Sequence, residues 1–263
     1  MKTQIILRKV HYAFSAFLCT ACLVSCNDWL KPEPLSFYSP ENTYVTKEGL
    51  EGALVSCRAM IRPEFIGNNS YACTELMTSD VAVAGNIVAQ TLKNFEIQLK
   101  PGAYGDSQIG TFWSKGYSAI QKANTIISRV QAADEITEND KNTILAEGYF
   151  HRSYWYYKLV NQFGDVPFID KEVTTPKLDF YSHTRSSILK RLREDMMFAT
   201  RYLPESAPHG AVSKAAGNHL LAKICLACCD FDGAVAATTA VIDHSQHKLM
   251  EKRLRGQYIG CSI

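Results

Sequence analysis

The apolar and polar positions divide the chain into a short leader, a proline-rich link and a succession of helical periods. Val10 to Val24 form a mostly apolar run that stops at Asn27-Asp28. It falls short of the ~20 apolar residues that a bilayer-spanning helix requires. Residues 27–45 hold three prolines and read as an extended tether. From Thr46, placed as a cap, Leu50, Ala53, Leu54, Cys57 and Ile61 recur at helical spacing, and Pro63 is expected to stop that helix. A shorter helix is expected from Ser70 to about Ala82. Residues 84–106, broken by Gly85, Pro101, Gly102 and Gly105, read as loop with at most one strand.

The strongest period follows. Ile109, Phe112, Trp113, Tyr117, Ile120, Ala123, Ile127 and Val130 keep one apolar stripe. Thr137 caps the next helix, in which Ile144, Leu145, Tyr149, Arg152, Trp155, Leu159 and Phe163 share a face. Gly164 is placed as a left-handed C′ residue, and Pro167 prevents resumption. Asp165 to Pro176 is a connection. Further helices are expected from Thr184 to Leu203, ended by Pro204, from Ser213 to about Cys229, and from Phe231 to Asp243, begun by Asp230. The last pair resembles a tetratricopeptide hairpin: Leu220-Leu221-Ala222 and Leu226 on one helix, then Ala234 and Ala237 as small residues at the crossing. The expected fold is all-α, with tetratricopeptide-like helical hairpins packed as a short solenoid and loop excursions between them.

Charge changes the picture little. The chain carries 28 Lys+Arg against 26 Asp+Glu, and Lys2, Arg8 and Lys9 belong to the leader. No basic excess points to nucleic acid: Arg185, Lys190, Arg191 and Arg193 are interleaved with Glu194 and Asp195, as on a solvated face. The leader pairs its basic start with an apolar stretch and ends Leu23-Val24-Ser25-Cys26, which resembles the lipobox of bacterial lipoproteins. Residues 1–25 are accordingly expected to be an export signal, residues 26–45 a lipidated tether, and Cys26 the lipid-bearing thiol.

Of the nine cysteines, Cys19 and Cys22 fall in the leader and Cys26 at its end; among the other six, Cys225, Cys228 and Cys229 form the one close cluster. Without a second CxxC or an HxxxH they are expected to be small thiols on a helix-packing face, not metal ligands. Catalytic patterns are missing as well: no G-x-S-x-G, HExxH or phosphate loop occurs, so neither an enzyme nor a cofactor is expected. Arg152, on an apolar helix side, is expected to pair with a carboxylate or backbone carbonyls between helices, with Glu147 within reach. Tyr154, Trp155, Tyr156 and Tyr157 must point around their helix, so at most half can share a face; packing is the expected role, with a sugar-stacking platform as the alternative.

Four stretches together resemble the N-terminal half of the SusD/RagB-type nutrient-uptake lipoproteins of Bacteroidota outer membranes. They are Cys26-Asn27-Asp28-Trp29-Leu30 with its tether; Phe112-Trp113 through Tyr117, Ile120 and Asn124; Ala146 to Phe168, including Phe163-Gly164-Asp165-Val166-Pro167; and Asp195 through Leu203-Pro204 to Ser213-Lys214-Ala215-Ala216. The resemblance assigns 46–247 to the family's helical-repeat domain. It implies a lipid-anchored protein on the outer membrane, facing the exterior, that holds an oligosaccharide or peptide against a TonB-dependent SusC-like transporter. Residues 81–106 occupy the place of a ligand loop and offer Asn86, Asn94, Phe95, Tyr104 and Asp106 but no tryptophan, which speaks against a starch-like ligand. Residues 248–263 no longer resemble the family and read as the end of a truncated copy. A lipid-anchored helical-repeat module that binds other proteins, without nutrient binding, is the alternative reading.

Overall fold

The computed structural model describes residues 43–65, 108–134, 136–207 and 210–244. The leader, the tether up to residue 42, the expected helix at 70–82, the loop at 84–106 and the tail at 248–263 lie outside the described residues. So do Cys26, Asn86, Asn94, Phe95, Tyr104 and Asp106.

Six helices make up the described part: α1 (Lys47–Phe65), α2 (Gln108–Arg129), α3 (Glu138–Phe163), α4 (Arg185–Tyr202), α5 (Lys214–Ala227) and α6 (Phe231–His244). A 3-10 turn, Val130–Ala132, extends α2. From α2 to α6 each helix packs on the next, while α1 lies on α2 and α3. The starts follow from side-chain caps. Thr46, Thr137, Thr184, Ser213 and Asp230 each accept a hydrogen bond from the backbone N–H three residues on, satisfying a donor that the helix itself leaves open.

Two clusters make the core. Phe112, Ile120, Trp155, Leu159, Ile188, Leu192, Met196 and Ile224 belong to the larger one, between α2, α3, α4 and α5. Leu50, Leu54, Ile126, Val130, Ile144 and Leu145 form the smaller one under α1, and Tyr149 and Phe198 touch both. The helix α3 is buried on nearly every side, Ala146, Phe150 and Tyr156 as well as Leu145, Trp155 and Leu159. A single apolar face, as the spacing suggested, would have left its other side to water. Neighbours on several sides remove that constraint.

Three local expectations change. Pro63 does not stop α1, which runs to Phe65. Lys158 of α3 reaches Glu64 at 2.7 Å and Tyr154 donates to the same fully buried carboxylate, so tertiary contacts hold the last turn where local preference alone would end it. Gly164 has positive φ (75°), but its ψ of −119° lies outside the left-handed helical well. It occupies a region open chiefly to glycine, and it still closes α3 by donating to the Val160 carbonyl at 3.1 Å. Lastly, α5 ends at Ala227 instead of Cys229, because Cys229 itself takes φ 60° in the turn to α6.

The link after α3 is more than a connection. Val166–Pro167 (β1) pairs antiparallel with Ser182–His183 (β2), and side chains of α2 bind the stretch between them. Tyr117 Oη donates to the Pro167 carbonyl at 2.8 Å, Asn124 Nδ2 to that of Ile169 at 2.7 Å, and Gln121 Nε2 to that of Val173 at 3.1 Å. Tyr156 Oη receives the Ile169 N–H at 2.6 Å. Unpaired backbone carbonyls near the core are costly, and these hooks satisfy them.

Candidate functional site

Three buried carboxylates could have served acid–base chemistry, and each is neutralised by a cation from another helix or its own. Arg152 and Asp195, 1% and 3% exposed, meet through Nη2 at 2.5 Å and Nε at 3.1 Å. Nη1 of the same guanidinium reaches the Asp170 carbonyl at 2.9 Å and Asn124 Oδ1 at 3.3 Å. Arg152 thus takes a carboxylate and a backbone carbonyl, as its position on α3 suggested, but the carboxylate is Asp195 of α4 and not Glu147. Glu147 faces the other way and binds Arg58 of α1 in a two-bond fork at 2.6 and 2.8 Å, with His151 Nε2 at 3.5 Å. A five-residue separation puts Glu147 and Arg152 well around the helix from each other, which explains the correction.

Burial raises the Asp195 carboxyl and Arg152 offsets that only in part. At Glu147 burial also pushes upward, but His151 and Arg58 outweigh it and hold the carboxyl below its ordinary range. Glu64, the third, is held by Lys158 and Tyr154. These groups tie α1, α3 and α4 together, and the three carboxylates themselves are buried.

The cysteine cluster splits. Cys225 is buried as expected, Cys228 is half-buried, and Cys229 is exposed in the turn, where a packing role does not apply. Burial pushes the Cys57 thiol of α1 up to about 12. Among the described residues, no three His, Cys, Asp or Glu side chains stand close enough to hold a metal ion.

What is open is a cleft of about 730 Å³ between the C-terminal half of α3 and the first turns of α5, with Phe65 of α1 and Val241 of α6 at its margins. Its volume falls in the range of small-ligand sites. Phe150 and Tyr154 stand stacked in its wall, centroids 6.2 Å apart at 21°. The aromatic run therefore divides by face: Trp155 and Tyr156 are fully buried, while the half-buried Tyr154 and Tyr157 line the cleft. The polar lining comprises Lys158, Asn161, Gln162, Ser213, His219 and Lys223. Sequence reasoning pointed to the loop at 81–106 and missed this cleft, since α3 and α5 are adjacent only in space. The alternation of aromatic and polar residues at 154–162 was its one visible signal.

Residues 50–226 match the SusD-like family model described as starch-binding and associating with the outer membrane. The chain is 29% identical over 243 residues to SusD-like protein P2 of Formosa agariphila, an alignment covering 90% of this chain and 47% of that one. SusD-like protein P25 of the same organism is 24% identical over 260 residues, covering 95% and 48%. Among solved structures, a laminarin-binding SusD-like protein superposes with a TM-score of 0.67 at 23% identity, over 76% of this chain and 46% of that one. Surface glycan-binding protein A from Bacteroides uniformis gives 0.65 at 19% identity, over 78% and 48%. The chain thus spans about half the length of the curated relatives it matches.

Proposed function

This chain belongs to the SusD-like family, whose members are glycan-binding, non-enzymatic proteins, and on that premise we propose that it serves glycan capture at the outer membrane for a TonB-dependent SusC-like transporter. The family match over 50–226 carries the reading, because it spans α2 to α5 and both walls of the cleft. In this account Cys26 bears the lipid, the helical array is a short tetratricopeptide-like solenoid, and Asn86, Asn94, Phe95, Tyr104 and Asp106 contribute ligand contacts. The laminarin named for one structural relative and the glycans named for another make saccharide the favoured ligand over peptide.

Electrophoresis of the full chain through native gels containing single polysaccharides tests the capture step. Retardation by at least one of them is expected; unchanged migration in all would remove it. Transporter pairing is tested separately, by co-purification of a SusC-like barrel with the full chain from outer membranes. The protein-interaction reading gains from one observation, the exposed Phe231, Val235 and Ile242 along α6. It would be preferred if the chain bound no saccharide and the barrel did not co-purify.

A further inference from the structure

The cleft between α3 and α5 has a biased set of hydrogen-bonding groups. Among the described residues no Asp or Glu lines it. Lys158 is already taken by Glu64, and the Asn161 Oδ1 accepts from Arg185 at 2.8 Å. The side chains of Tyr157, His219 and Lys223 make no hydrogen bond to another described residue, and all three line the cleft. A phenol, an imidazole and an ammonium can each donate, and the ammonium donates only. Neutral sugars present many hydroxyl donors and are matched by carboxylates and amides. This cleft has the amides of Asn161 and Gln162 but no carboxylate among its described lining, and with Lys158 paired to Glu64 its remaining charge is the positive one of Lys223, near the stacked Phe150 and Tyr154.

Resting on the reading of this chain as a glycan-capture protein, we propose that this cleft binds an acidic oligosaccharide, with the carboxylate of a uronic acid on Lys223 and His219 and its ring against the Tyr154–Tyr157 side. Lys223 follows His219 by one helical turn, so both heads stand over the same stretch of α5. Partial burial and the neighbouring Lys223 lower the imidazole of His219, favouring its neutral form, which can still donate one hydrogen bond. An acidic peptide offers the same charge but gains less from a flat aromatic wall, along which the apolar face of a sugar ring can lie.

Calorimetric titration of the full chain with trigalacturonate tests this, with maltotriose and hexaglutamate as comparison probes. Trigalacturonate is expected to bind more tightly than either. Lys223→Met should weaken it about tenfold, the scale of one charge-assisted contact. Tyr157→Phe should weaken it less. Lys190→Met, exposed on α4 and outside the cleft, should leave it unchanged, and circular dichroism should show all three variants folded. Equal losses in Lys223→Met and Lys190→Met would reduce the effect to general charge and overturn the site. Tighter binding of hexaglutamate would assign the cleft to peptide. Retention of neutral glycans, untouched by Lys223→Met, would overturn the acidic-sugar site while leaving glycan capture standing, and loss of all saccharide binding would overturn both.

Discussion

Arg152 shows how a single side chain can join three parts of the molecule. Its guanidinium binds Asp195 on α4, Asn124 on α2 and the Asp170 carbonyl in the link after α3. Replacing it by methionine would leave the buried Asp195 carboxylate with only the longer contact from Arg191 Nε at 3.5 Å. Arg152→Met is therefore expected to cost about 3–5 kcal/mol in urea unfolding, and Arg152→Met with Asp195→Leu should recover much of that loss. Gly164 makes a narrower case. A Cβ there would meet nothing within 4 Å, so any penalty comes from its positive φ alone. Gly164→Val should destabilise by about 1–2 kcal/mol, and a neutral result would mean that the turn can adopt another conformation. The thiols differ in the same local way. With Cys57 buried and Cys229 exposed, maleimide followed by peptide mapping should modify Cys229 in the native protein and Cys57 only after unfolding.

At the scale of elements, the α5–α6 hairpin relies on small residues where its helices cross. Ala234 and Ala237 are 4% and 5% exposed, whereas Val235 and Ile242 on the outer side are 66% and 70% exposed. Ala237→Leu should overpack the crossing and cost about 1–3 kcal/mol by thermal or urea unfolding, while Val235→Thr should cost little. This hairpin was legible because small residues and caps are local signals. The polar residues of α2 were legible only as a motif. Tyr117 and Asn124 stood out in the pattern shared with the family, yet their work, holding the carbonyls of Pro167 and Ile169, depends on a link 50 and 45 residues away in sequence. Pro63 shows the converse, a local stop signal overridden by the Glu64–Lys158 contact.

For the whole molecule, the pH dependence of stability should carry the mark of Glu147. Its carboxyl lies below its ordinary value of 4.5 when folded, so its share of stability is present above that value. That share is lost as pH falls through the lowered folded value. Comparison of the full chain with Glu147→Gln between pH 7 and pH 3 should show the gap between them closing as pH falls; a constant gap would mean that the ion pair contributes nothing through protonation. The sequence by itself determined the six described helices apart from some of their ends, their caps and the family, because those rest on period, cap chemistry and short-range motif order, all of which are written along the chain. The tertiary structure alone decided which faces of α3 are buried, which carboxylate meets Arg152, and that α3 and α5 enclose a cleft lined with donors. Each of those depends on which helices become neighbours, and burial, ion pairing and cleft shape arise between elements, not within them.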